Sequence, residues 1–305
     1  MSINPVDIGA ALIAAIGGQT SAPPVVLDGP LQRLEGGFDT DTFLVSFASA
    51  PHDWPARGVL RLYQAGTPAR RAKAEAAAQR VVAAQGIPSA GVLMQGDDLF
   101  AAGGDPTRPF MVMEFAPGGT LLSRGLRPSP FFFRMMAVMA NLLADLHQLD
   151  PEPLRREFKS AGLDPHALGP DRRLDATRER LRGADAAGLL RVSEWLETQR
   201  PGEDVLQRSV ICHGDFHPLN ILVDQGRVSA LIDWSNVSVA PAEYDLAILC
   251  LIARHGPLEL LGPIRWVIDL FRGYLMRRFD AAYRAASPGT KISSATTRCI
   301  APSWP

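Results

Sequence analysis

The sequence predicts an α+β fold in two lobes, a small β-rich N-terminal lobe over 1–116 and a larger helical C-terminal lobe over 117–305. Three observations carry this expectation. Short strand-like runs punctuated by glycine crowd the first hundred residues, a Pro-Gly-Gly break at 117–119 follows the last of them, and long apolar helical stretches fill the remainder. A chain of 305 residues with 47% hydrophobic and 21% charged residues can bury a substantial core and is too long for one small domain.

Taken in order, "LQRLEGGFDTDTFLVSF" (31–47) reads as a hairpin: Gly36-Gly37 sits between two strand-like runs, and Phe43, Val45 and Phe47 alternate onto one face. "GVLRLYQ" (58–64) is a further short strand. The alanine-rich run 69–88 is a helix stopped by Gly86 and Pro88. "PFMVMEFAPGG" (109–119) is a buried strand that runs into the break between the lobes. Beyond it, Ser129 is placed to cap a helix that opens with Pro130 and continues until Asp150-Pro151, apolar on most sides and therefore central. Residues 151–183 are charge-rich and read as solvated, whereas 185–199, 243–254 and 263–284 read as further helices.

Composition excludes several classes of partner. The formal net charge is -1, which gives no sequence-wide attraction to nucleic acid or to an anionic membrane. Residues 8–17 are apolar but too few to span a bilayer, and Asp7 precedes them in place of a basic region. Neither a nucleic acid nor a membrane is therefore expected as a partner. Cys212, Cys250 and Cys299 are odd in number and form no CxxC pair, which fits a reducing cytoplasm better than a disulfide framework. Oligomeric state is not legible.

The most informative stretch is "VICHGDFHPLNILVDQGRVSALIDW" (210–234). His213 and His217 stand four apart, a metal-binding spacing on a helix, but Gly214 and Pro218 deny them a helix. A second spacing is more specific. His213, Asp215 and Asn220 match the loop H-x-D-x-x-x-x-N, in which the aspartate meets an acceptor hydroxyl and the asparagine a magnesium ion. A hairpin turning at Asp224-Gln225-Gly226 then brings Asp233 back, a second hard-oxygen ligand of the kind Mg2+ requires.

With "LADLH" before it and "LIDW" and "YDLA" after it, "HGDFHPLN" resembles the aminoglycoside phosphotransferase and choline kinase-like family of small-molecule kinases over roughly 30–285. The resemblance implies a protein-kinase-like fold and ATP- and Mg2+-dependent phosphorylation of a small-molecule hydroxyl. Asp215 would be the catalytic aspartate, Asn220 and Asp233 the magnesium ligands. His213 and Asp245 would support the loop, although Ala240-Pro241-Ala242 stands where relatives commonly carry Gly-Asp-Pro. In the N-terminal lobe, Gly36 and Gly37 would bring backbone amides to the triphosphate and Met113, Glu114 and Phe115 would meet adenine. Arg61 would grip phosphate where lysine is usual, oriented by Glu75; the chain's lysines, Lys73, Lys159 and Lys291, all lie off that strand. A nucleotide-binding pseudokinase serving as an interaction module is the alternative that Arg61 keeps open, and a metal-dependent hydrolase is a third.

For the acceptor, His217 on the loop and Trp266, Asp269 and Tyr274 on the 263–284 helix are the candidate wall residues. Between 251 and 305 eight basic side chains stand against three acidic ones, a net of +5, which disfavours a polycationic acceptor. His147, on the apolar central helix, reads as a satisfied core histidine rather than a ligand.

Overall fold

The computed structural model describes residues 5–19, 24–34, 40–100, 107–125, 131–183, 187–199, 202–255 and 262–289. Gly36, Gly37, Ser129 and Pro130 lie outside them. The chain forms two compact units, Met1–Gly118 with Ser229–Ser235, and Gly119–Val228 with Asn236–Pro305. A single cut after 116 does not anticipate the return of Ser229–Ser235 to the first unit. Hydrogen bonds account for it: the Leu231 amide donates to the Pro88 carbonyl (2.7 Å), and the Ser229 hydroxyl donates to the Pro117 carbonyl (2.6 Å).

The first unit runs α1 (Pro5–Gln19), β1 (Val26–Leu27), β2 (Gln32–Leu34), β3 (Thr40–Ser49), β4 (Arg57–Tyr63), α2 (Arg70–Ala84), β5 (Val92–Gly96) and β6 (Phe110–Glu114). The strands form an antiparallel sheet in the order β1-β3-β4-β6-β5, with β2 also paired to β3. Because side chains alternate along a strand, β4 sends Leu60 and Leu62 to one face and Val59, Arg61 and Tyr63 to the other. The first face is covered by α1, whose Ile8, Leu12 and Ile16 recur every fourth residue and pack into one apolar cluster with Phe43, Val45, Leu60, Leu62 and Val112. This helix is an addition to the β-rich lobe that the sequence predicts. On the opposite face α2 presents buried Ala72, Ala76, Ala77 and Ala78, and Ala76 packs with Met111 and Met113. Small side chains let this helix sit close enough to the sheet for Glu75 to reach the polar residues of β4.

The second unit contains β7 (Gly119–Thr120), α3 (Leu121–Gly125), α4 (Phe131–His147), α5 (Glu152–Ser160), α6 (Pro170–Gly183), α7 (Ala187–Thr198), α8 (Glu203–Leu206), β8 (Val210–Cys212), β9 (Ile221–Asp224), β10 (Arg227–Leu231), β11 (Ser238–Ala240), α9 (Glu243–His255) and α10 (Gly262–Ala286). The end of β10 belongs to the first unit. As expected, α4 is central: Met139, Leu143 and Leu146 are buried on it. Met276, Phe279 and Tyr283 are buried on α10. The charge-rich stretch 151–183 is not simply solvated, since α5 buries Leu154 and Phe158 and a short 3-10 turn after it buries Leu168. Among the described residues no helix is long and apolar enough to cross a membrane.

Two short pieces of this unit hold the loop that the motif marks. Antiparallel β8 and β11 pair Cys212 with Ser238 and fix the start of the loop. β9 leaves its end and forms a hairpin with β10 through Gln225 (φ 47°) and Gly226 (φ 80°), a two-residue turn with both residues left-handed, as hairpin twist favours.

Candidate active site

In the first unit the position expected to grip phosphate is a buried polar cluster. Arg61 on β4 and Glu75 on α2 form an ion pair, and the Tyr63 hydroxyl donates to the other oxygen of the same carboxylate. Glu75 is fully buried, so both oxygens take their partners from protein, and the carboxylate is held in one orientation. Arg61 Nη2 also lies 3.5 Å from Asp233 Oδ1. Asp233 adopts φ 66°, a left-handed conformation that few residues other than glycine, asparagine and aspartate tolerate. Trp234 beside it is wholly buried and its indole N–H donates to the Leu231 carbonyl (3.0 Å), which anchors the turn carrying Asp233.

One guanidinium thus serves two carboxylates. Burial opposes the charge on Arg61, but Glu75 and Asp233, with Tyr63, outweigh it and hold the guanidinium pKa above its ordinary value. Burial pushes the Glu75 carboxyl up, an effect that Arg61 opposes and Asp233 reinforces. Burial and the neighbouring Glu75 likewise raise the Tyr63 phenol. Among the described residues Arg61 Nε is a buried donor with no hydrogen-bond partner. A buried N–H on a cation is suited to an anionic oxygen, which is the chemistry a phosphate offers.

The predicted base-binding strand is narrower in its capacity than the sequence suggests. The Glu114 amide donates to the Gly91 carbonyl (2.8 Å) and the Phe115 amide to the Arg57 carbonyl (3.4 Å). Those two donors are therefore engaged within the sheet. Met113 is buried, while Arg57 stacks its guanidinium 3.9 Å from the Phe115 ring centroid.

In the second unit the loop 213–220 is built on its own backbone. Both oxygens of Asp245 accept main-chain N–H groups, from His213 (2.8 Å) and from Gly214 (2.7 Å). Gly214 has φ +77°, and a Cβ placed there would collide with the Asn236 main chain, so the close approach demands glycine. His213 is fully buried, and its Nδ1 accepts the Asp215 amide (3.3 Å). The five-residue spacing closes as a turn in which Asn220 Nδ2 donates to the Asp215 carbonyl (3.0 Å) and lies 3.4 Å from Asp215 Oδ2. With its amide nitrogen turned to Asp215, Asn220 keeps its side-chain carbonyl oxygen as an acceptor, the hard oxygen type that a cation such as Mg2+ favours. His217 joins this group: its Nδ1 accepts the Leu219 amide (3.3 Å) and its Nε2 lies 3.5 Å from Asp215 Oδ1.

Other predicted residues are not gathered here. Tyr274 is exposed on α10; Trp266 and Asp269 lie on the same helix, but their side chains fall outside what the structure describes. His213 Nδ1 and His217 Nδ1 accept different main-chain amides, those of Asp215 and Leu219. Among the described residues the one metal-like grouping is His147, Cys212 and Asp245, all buried. Its members are occupied with other partners, and burial, reinforced by Asp245, raises the Cys212 thiol, which disfavours the thiolate a metal requires. Two contributors escaped the sequence reading: Tyr63, which its place two residues from Arg61 could have revealed, and Tyr283, whose hydroxyl lies 2.6 Å from His147 Nδ1 with no local signal in the sequence.

Comparison with known proteins agrees with this architecture. Aminoglycoside 3'-phosphotransferase of Streptomyces fradiae is 30% identical over 163 residues, 48% of this chain and 54% of that protein. Hygromycin-B 4-O-kinase of Escherichia coli is 30% identical over 92 residues, 30% of this chain and 24% of that protein. The chain thus matches about half the length of the first of these relatives and about a quarter of the second. A crystal structure of the aminoglycoside phosphotransferase APH(4)-Ia, solved as a ternary complex with ADP and hygromycin B, superposes with a TM-score of 0.52 at 18% identity, covering 95% of this chain and 87% of that one, and so shares its fold. The model of the phosphotransferase enzyme family matches residues 30–288, from just before β2 through α10, and this chain belongs to that family.

Proposed function

We propose that the protein is a kinase that transfers the γ-phosphate of ATP, with Mg2+, to a hydroxyl group of a small molecule. The observation that carries this reading is the closed turn in which Asn220 reaches Asp215 while Asp245 fixes the main chain beneath them. Asp215 orients the acceptor hydroxyl and accepts its proton as the new bond to phosphorus forms and the bond to the leaving ADP oxygen breaks. Asn220 and Asp233 would hold Mg2+, which neutralises charge on the triphosphate when bound. Arg61, kept charged by Glu75 and Asp233, offers its buried Nε to a phosphate oxygen, and Glu75 with Tyr63 keeps the guanidinium from turning away. A reducing cytoplasm suits the buried thiols of Cys212 and Cys250.

Of the basic residues that disfavour a polycationic acceptor, Arg277, Arg278 and Arg284 are exposed, and Arg284 pairs with Asp280 (3.0 Å). Their charge is a surface property and constrains the acceptor little, while the relatives' names support aminoglycoside-type alcohols. A screen of ATP consumption over hydroxylated metabolites, macrolides, neutral sugars and aminoglycosides decides between them. The roles are tested on two variants by calorimetry: Asp233→Ala should weaken Mg-nucleotide binding by roughly tenfold or more, and Asp215→Ala should keep it within about threefold while turnover is lost. Equal losses of nucleotide affinity in the two variants contradict the assignment.

A further inference from the structure

Asp245 does not hold the loop alone. A chain of hydrogen bonds runs behind it: Tyr283 on α10 meets His147 Nδ1 on α4 at 2.6 Å, and His147 Nε2 meets Asp245 Oδ2 on α9 at 3.2 Å. All three side chains are buried, and the aspartate passes the contact to the His213 and Gly214 amides, two and one residues before Asp215.

The order of donors follows from the acceptor at the end. Both oxygens of Asp245 already accept main-chain N–H groups, so the histidine atom facing Oδ2 must also be a donor, Nε2–H. In the neutral ring Nδ1 is then an acceptor, and the partner that satisfies it is the Tyr283 hydroxyl. Without that O–H the ring can place its proton on Nδ1 instead, turning a lone pair toward a carboxylate that is meant to receive a hydrogen bond. The tyrosine is itself fixed, edge-on to His147 with centroids 5.8 Å apart and stacked on Phe279 at 6.1 Å.

We propose that Tyr283 is a positioning residue for phosphoryl transfer: through the tautomer of His147 it sets the orientation of Asp245 and thereby the main chain that carries Asp215. The inference rests on the reading of 213–220 as the catalytic loop for its effect on rate, but the relay itself exists in the free protein and is observable there.

Tyr283→Phe removes one hydroxyl and keeps the ring, its stacking and its volume. Nitrogen-15 spectra of the histidine rings should show His147 losing its single Nε2–H tautomer, and the amide protons of His213 and Gly214 should move upfield as their carboxylate acceptor loosens. Turnover should fall roughly five- to tenfold, the scale of one buried hydrogen bond, with KM for nucleotide unchanged within about twofold and little change in Tm. His147→Gln, which retains an amide donor toward Asp245 but has no acceptor at the Nδ1 position, should make a further Tyr283→Phe change silent in both readouts. Unmoved amides, or a fall in rate matched by equal losses in KM and Tm, would overturn the relay. So would full additivity of the two substitutions. If no acceptor supports turnover even in the parent protein, phosphoryl transfer is the reading that fails, and the spectra alone decide whether Tyr283 controls the loop.

Discussion

Replacing Arg61 by methionine isolates the electrostatics of the first unit. Glu75 is fully buried, its cation is Arg61, and the other groups that act on it are Tyr63, Asp233 and Arg71. Methionine fills much of the same volume without charge, so the variant leaves a buried carboxylate with one phenol donor. Breaking a buried pair in this way costs about 3–5 kcal/mol when the carboxylate is ionised. The cost has a definite pH dependence. Burial already raises the Glu75 carboxyl in the parent protein, against the opposition of Arg61, and loss of the cation raises it further. The folded variant then binds a proton that the unfolded chain releases at lower pH, so stability increases as pH falls through the folded value toward the unfolded one.

Urea unfolding followed at intervals from about pH 8 to about pH 5 should show the penalty of Arg61→Met shrinking toward acid. Its slope should approach that of a single proton, about 1.4 kcal/mol per pH unit, and level off once the pH falls below the raised Glu75 value of the folded parent protein, where both folded forms hold the proton. The double variant Arg61→Met/Glu75→Leu should recover most of the stability and lose the pH dependence, because it removes the buried charge together with its partner. A penalty that is constant with pH, or that grows toward acid, would show that Glu75 is not the carboxylate whose charge Arg61 compensates.

Smaller perturbations probe the remaining supports. Tyr63→Phe deprives one Glu75 oxygen of its buried donor and should cost about 1–3 kcal/mol in urea unfolding while the sheet stays intact by circular dichroism. Gly214→Ala forces a Cβ into the Asn236 main chain at a left-handed position; a loss of about 2 kcal/mol or more, with turnover abolished in the ATP-consumption assay, is expected. Gln225→Asn, at the exposed left-handed turn of the β9–β10 hairpin, should instead raise stability by about 0.5 kcal/mol, read as a higher urea midpoint.

What could be read from the sequence divides according to how far apart the cooperating residues lie. Asp215 and Asn220 were legible because five residues of loop closed by a short turn leave little geometric freedom, and the hydrogen bond from Asn220 to the Asp215 carbonyl is a local consequence of that spacing. Arg61 and Glu75 required one further step, the pairing of a strand with the next helix, and the alternation of β4 carries it. That same alternation puts Tyr63 on the face of Arg61, so Tyr63 was within reach and was missed by attending to charge alone. Ile8, Leu12 and Ile16 were likewise legible as the stripe of a helix; weighing 8–17 only as a membrane segment hid it. Charge obscured Leu154 and Phe158, four residues apart on α5, in the same way.

His147 and Tyr283 are different in kind, since 136 residues separate them and no periodicity links α4 to α10. Their hydrogen bond is a product of packing, and only the assembled core brings the hydroxyl to the ring. The acceptor falls on the far side of the same divide. Transfer of a phosphoryl group needs a carboxylate, an amide and a cation at fixed local spacings, which a short loop can encode, whereas recognition of an alcohol needs surfaces contributed by separate segments that each carry an ordinary-looking sequence. His217 illustrates the boundary: its place beside Asp215 follows from the loop, but which alcohol it would face depends on residues that the loop does not specify.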